Sequence, residues 1–170
     1  MKKIIDFIDK IIEWTGRTGC VLIALLNFIV VFEVVLRYFF KSPTIFNFEL
    51  TIMIYAFHFM ITGAFALLHN SHVSIDIIHN MFSKKKKLIL DLLGYLIFFF
   101  PFTLVIFYQG IKFSANSWMQ LERSGSVWAP PLYPIKTVIP ITMLLLLLQG
   151  SSIFAKKIIQ LLDKGEQNHD

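Results

Sequence analysis

Residues 19–40 read GCVLIALLNFIVVFEVVLRYFF, a run of twenty-two positions interrupted by the polar side chains Asn27, Glu33 and Arg37. A helix rises 1.5 Å per residue, so about 20 apolar residues cross the roughly 30 Å of a bilayer's hydrocarbon. This run is long enough. Three more of similar length follow, at Phe48–Leu68, Leu88–Ile111 and Tyr133–Ala155. Of the 170 residues, 56% are hydrophobic and 16% are charged, against about 25% charged in soluble domains. The expected fold is therefore an all-α membrane protein: a single membrane domain over 1–170 with transmembrane helices at 19–40, 48–69, 88–111 and 133–155. Little chain is left over for a separate soluble domain.

The segments between the spans carry the remaining signals. MKKIIDFIDKIIEW opens the chain with Ile4, Ile5, Ile8, Ile11 and Ile12 near helical period and Lys2, Lys3, Asp6, Asp9, Lys10 and Glu13 on the other face. That pattern predicts an amphipathic helix over 2–16, lying in the membrane interface and retained, since no small-residue cleavage site follows it. A second amphipathic segment is expected over 73–84, ending in the lysines 84–87 that favour anionic headgroups. A short tail over 156–170 completes the chain. The lone Cys20 leaves no intramolecular disulfide to form. Eleven of the sixteen Lys and Arg residues fall on the side of the termini and the 70–87 connection, and five on the other. Cytoplasmic basic residues outnumber external ones in membrane proteins, so both termini are expected in the cytoplasm. The basic residues flank spans instead of forming one patch, which argues against nucleic acid as a partner.

Charged and polar side chains inside spans are expensive and need partners, so they are the leads to function. Glu33 and Arg37 are an i, i+4 pair near the outer end of span one, and Glu49 opens span two across a short loop. Such a pair gives about 0.3–0.5 kcal/mol, less than the roughly 2.5–3.5 kcal/mol of a charge at mid-bilayer. A clasp of Arg37 with Glu49, or with a partner subunit, is the expected compensation. His58 lies mid-way along span two near Gly63 and Ala64, small residues that let another helix approach. It reads as a packing histidine, with these three positions open to the approach of another helix. Haem or quinone ligation, as in the membrane anchor of a redox complex, is the alternative, although haem commonly takes a second axial ligand and no other span holds a histidine.

The stretch HNSHVSIDIIH places His69, His72, Asp76 and His79 at spacings of 3, 4 and 3, one face of a helix. Asn70 and Ser71 favour a turn that breaks this register. His72 and Asp76 therefore read as a cytoplasmic corner, with no metal site and no cofactor expected. No nucleophile with an adjacent base, glycine-rich phosphate loop or catalytic carboxylate pair is present, so nothing in the sequence points to an enzyme. On the outer loops Lys41, Lys112 and Arg123 carry positive charge.

Several short stretches in order resemble a known family. They are Asn27 through Arg37-Tyr38-Phe39, then Phe46-Asn47-Phe48-Glu49-Leu50, Gly63-Ala64, His72-Val73-Ser74-Ile75-Asp76, Pro131-Leu132-Tyr133-Pro134 and Ile139-Pro140-Ile141. Together they resemble the small membrane (Q, DctQ-like) subunit of tripartite ATP-independent periplasmic (TRAP) transporters over about residues 27–143. Phe46 and Phe48 depart from the tryptophan and the first of two glutamates usual there. The resemblance implies a non-catalytic subunit joined to a large membrane subunit (M), which carries substrate and sodium and moves in an elevator-like manner. It also implies transient contact with a periplasmic substrate-binding protein (P) that delivers an organic anion such as a C4-dicarboxylate or a sialic acid. The setting implied is the bacterial inner membrane.

Overall fold

A computed structural model describes residues 2–69 and 84–166. The described residues form helices α1 (Lys2–Tyr38), α2 (Asn47–Leu68), α3 (Lys84–Gly94), a π-helical turn (Tyr95–Phe99), α4 (Phe100–Met119) and α5 (Tyr133–Glu166). Counting α3, the π turn and α4 as one unit, four helices are long and apolar enough to cross a membrane. The start of α1, the end of α2, the start of α3 and the end of α5 lie at one end of the bundle, here the termini end. The loops 39–46 and 120–132 lie at the other, the loop end.

Two helix boundaries differ from expectation. No break separates residues 2–16 from span one: α1 is a single helix of 37 residues, about 55 Å long at 1.5 Å per residue. The glycines that would favour a break are instead contact points. A Cβ on Gly16 would stand 2.1 Å from the Phe65 ring, and one on Gly19 would stand 2.2 Å from Thr62. Span four likewise continues past Ala155 to Glu166, because Lys156 and Lys157 are each fastened to an acid on a neighbouring helix. Pro101 lies within span three and has no N–H to donate. The helix widens into the π turn Tyr95–Phe99 just before it, where a looser backbone absorbs the carbonyl that proline cannot satisfy.

The helices pack in the lateral order α1, α2, α5, α4, with the first turns of α1 also against α5. Gly16 on Phe65 and Gly19 on Thr62 and His58 set α1 and α2 antiparallel. Gly110 against Ile139 and Pro140, and Gly150 against Phe99, set α3–α4 antiparallel to α5. The interior is unusually polar. Glu33, Thr103, Ser114, Ser117, Thr142, Gln149 and Ser152 are buried, whereas Phe28, Phe48, Phe59, Phe98 and Phe102 are exposed. Lipid is as apolar as a phenyl ring, so apolar side chains gain little by turning inward, and small or hydrogen-bonding residues take the helix contacts.

Candidate functional site

Polar clusters at the two ends of the bundle hold the helices to one another. At the termini end, Asp9 of α1 accepts hydrogen bonds from Ser152 Oγ at 2.9 Å and Gln149 Nε2 at 3.3 Å and pairs with Lys156. Gln149, Ser152 and Lys156 share one face of α5 by their 3 and 4 spacing. Gly150 and Lys157 lie on an adjacent face that meets α3–α4, where Lys157 pairs with Asp91. On the α2 side, Glu13 lies 2.9 Å from His69 Nε2 and 3.4 Å from Arg17 Nε. These contacts join all four spans. They were missed in the sequence because Asp9 reads as the polar face of a surface helix and Lys156–Lys157 as orientation signals. The interruption Gln149-Gly-Ser-Ser152 in an apolar span was the available clue.

At the loop end, Glu33 is buried and accepts from Thr44 Oγ1 at 2.7 Å, Thr44 N at 3.3 Å and Arg37 Nη2 at 3.3 Å. A left-handed Lys41 (φ 51°) turns the chain so that Ser42 N–H returns to the Leu36 carbonyl. Glu49 takes different partners. Its oxygens accept from Ser124 and, at 2.5 Å, from Ser126. The expected clasp of Arg37 with Glu49 is therefore replaced by two separate fastenings. Glu33 is the closer acid on Arg37's own helix, and the loop 120–132 folds over the start of α2 to claim Glu49.

That loop is itself braced. Ser124 N donates to Pro130 O, Leu132 N to Glu122 O, and Trp118 Nε1 to Thr137 Oγ1 at 2.8 Å. Trp118 packs on Tyr133 and Trp128 on Phe46, as aromatic residues do at a membrane interface. Ser117 and Lys136 both donate to Glu122, and the Lys136 ammonium holds that carboxyl below the usual glutamate range.

The other sequence candidates fall as follows. His58 sits over Gly19 of α1, its Nδ1 buried without a partner, and Ala64 is fully buried. Ala64 is thereby taken up within the chain and is not open to another subunit, whereas His58 is half-buried. Gly63 has open space around it. Lys41, Lys112 and Arg123 are exposed at the loop end, with Lys112 Nζ 4.3 Å above the Tyr108 ring and Arg123 donating to the Ala129 carbonyl. His72, Asp76 and all of the segment 73–84 except its last residue lie outside the described residues. Among the described residues no group of three or more His, Cys, Asp or Glu could hold a metal ion.

The sequence profile of the family described as "Tripartite ATP-independent periplasmic transporters, DctQ component" matches residues 26–162. The chain belongs to the DctQ family. It is a small component of a TRAP transporter and a multi-pass membrane protein. The assembly to which such a DctQ chain contributes is tripartite, with a large membrane component and a binding protein. Among curated proteins, no sequence matches it. In this DctQ chain the match starts inside α1 and runs through most of α5, so it includes Gln149, Ser152 and Lys156 but leaves their partner Asp9 outside.

Proposed function

We propose that this chain braces the static part of a sodium-coupled TRAP transporter for organic anions of the C4-dicarboxylate or sialic acid type. It scaffolds a large elevator-type membrane subunit in a bacterial inner membrane and itself moves no substrate. The observation that carries this reading is how the buried and half-buried acids are used. Asp9, Glu33, Glu49 and Asp91 are all committed to tying helices or loops together. A carrier's intramembrane acids face a pathway that ions can enter; these acids face serines, threonines and lysines of neighbouring segments. The charge bias supports a cytoplasmic termini end. Lys41, Lys112 and Arg123 would then face the periplasm, where a docking binding protein with acidic patches would meet them.

Expression with and without the large component tests the proposal. Stable co-purification is expected, together with sodium-dependent organic anion uptake in proteoliposomes that needs both membrane chains and the binding protein. Uptake by the large component and binding protein alone at the full rate would overturn the bracing role. His58→Ala is expected to leave the visible absorption spectrum of the purified complex unchanged. A Soret band lost in that variant would favour the redox-anchor reading.

A further inference from the structure

Contacts between helices fix their relative heights. On α4 and α5, Ser114 meets Thr137 and Gly110 meets Ile139 and Pro140, which sets Asn116 opposite Pro134–Ile135 and Lys112 opposite Val138. Pro134, Ile135 and Val138 line a groove of about 420 Å³ together with Met53, Ile54 and Phe57 of α2. Lys112 and Asn116 are therefore level with residues 54–57. That height is seven to ten residues from Asn47, about 10–15 Å into α2 at 1.5 Å per residue. At the same height α2 exposes Tyr55 and Phe59, and α1 exposes Phe28.

The termini end shows the opposite mismatch. Asp9 meets Gln149, Ser152 and Lys156, while Asp91 meets Lys157 and Phe99 meets Gly150. This register puts Leu93 level with Asp6 and Ile97 level with Lys10. Leu93 and Ile97 are 46% and 57% exposed, whereas the amphipathic first turns of α1 expose the charges Asp6 and Lys10 there, beside Ile4 and Phe7. This height is about 5–10 Å beyond the contact of Glu13 with His69, again at 1.5 Å per residue. A bilayer perpendicular to the helices would bury Lys112 and Asn116 in hydrocarbon or leave Leu93 and Ile97 in water. Relative to that of α2, the apolar band of α3–α4 is displaced by about 10–15 Å towards the termini end.

We infer that the bilayer meets this chain on a slant, so that the three turns of α4 nearest the loop end, with Lys112 and Asn116, stand in the headgroup layer and water, while α2 at the same height lies in hydrocarbon. From α2 to α4 is two helix spacings of about 9 Å each. An offset of 10–15 Å over about 18 Å corresponds to a tilt of about 30–40°, the upper part of the range that membrane helices adopt. Both mismatches are removed by the same rotation. The slant rests on the membrane-spanning character of the chain and not on the bracing role proposed above.

The full chain carrying Cys20→Ser, with one nitroxide at a time replacing Tyr55, Asn116, Asp6 or Leu93, is reconstituted in phospholipid vesicles. Collision with oxygen, which partitions into hydrocarbon, is compared with collision with a water-soluble nickel chelate. Labels at Tyr55 and Leu93 are expected to favour oxygen, and those at Asn116 and Asp6 to favour the nickel chelate several-fold. The same preference in both members of either equal-height pair, Tyr55 with Asn116 or Asp6 with Leu93, would overturn the slant. So would an Asn116 label shielded from both reagents, which would indicate protein contact at that face. Because a nitroxide can disturb packing, Lys112→Cys and Ile52→Cys are also tested with a membrane-impermeant maleimide applied to both sides. Rapid reaction is expected only at position 112, and equal reactivity at the two would refute the inference.

Discussion

Replacing Asp9 with alanine tests whether the termini end is held together by its polar cluster. Asp9 accepts from Ser152 Oγ at 2.9 Å, from Gln149 Nε2 at 3.3 Å and from Lys156. Gln149 is fully buried and Ser152 is 2% exposed, so water cannot readily replace the lost acceptor. Polar contacts between membrane helices average about 0.6 kcal/mol each, so three amount to about 2 kcal/mol. Leaving the Gln149 carboxamide unsatisfied in a dry site adds about 1 kcal/mol. Lys156 is 38% exposed on its side chain and can turn to water or headgroups, so the ionic part adds little. The expected loss is about 2–3 kcal/mol, read as a shift in the SDS-induced unfolding of the chain in mixed micelles followed by circular dichroism. In a Lys156→Ala background the same substitution should cost about 0.5 kcal/mol less, the value of one such contact. A loss below about 0.5 kcal/mol for Asp9→Ala alone would show that the α1 to α5 contact rests on apolar packing, and the reasoning would fail.

Two further perturbations separate packing from charge. A Cβ on Gly150 would stand 2.2 Å from the Phe99 ring, whereas nothing lies within 4 Å of one on Gly63; Gly150→Ala should cost about 1–3 kcal/mol by overpacking and Gly63→Ala should be neutral or stabilising by up to about 1 kcal/mol, both read in the same unfolding assay. Glu122 has its pKa lowered in the folded chain by Lys136 and Ser117, so its contribution is present above the unfolded glutamate value of about 4.3 and is lost only as pH falls through the lower folded value. Trp118 and Trp128 fluorescence should thus stay constant from neutral pH down to about 5 and change only below about 4, and a transition centred near pH 6 would count against the Lys136 contact.

The sequence alone determined that this chain is a multi-pass membrane protein with four runs long and apolar enough to span, and what it resembles. Hydrocarbon thickness sets a minimum apolar length, and that constraint is local, readable from GCVLIALLNFIVVFEVVLRYFF without knowing any neighbour. Order and spacing of short stretches such as Arg37-Tyr38-Phe39 and Gly63-Ala64 sufficed for the family resemblance, later matched over residues 26–162. The partners of the polar residues were not legible. Arg37, Glu33 and Glu49 lie close in the chain and invite a single clasp, yet Glu49 is held by serines 75 and 77 residues away. Asp9 finds its acceptor role 140 or more residues along. Inside a bilayer nearly every outward position is apolar, so hydrophobic period does not say which side of a helix meets which neighbour. That choice falls to small residues and hydrogen-bonding groups such as Gly16, Gly150, Gln149 and Ser152, whose complementarity exists only once the helices stand at the heights that the tertiary structure gives them.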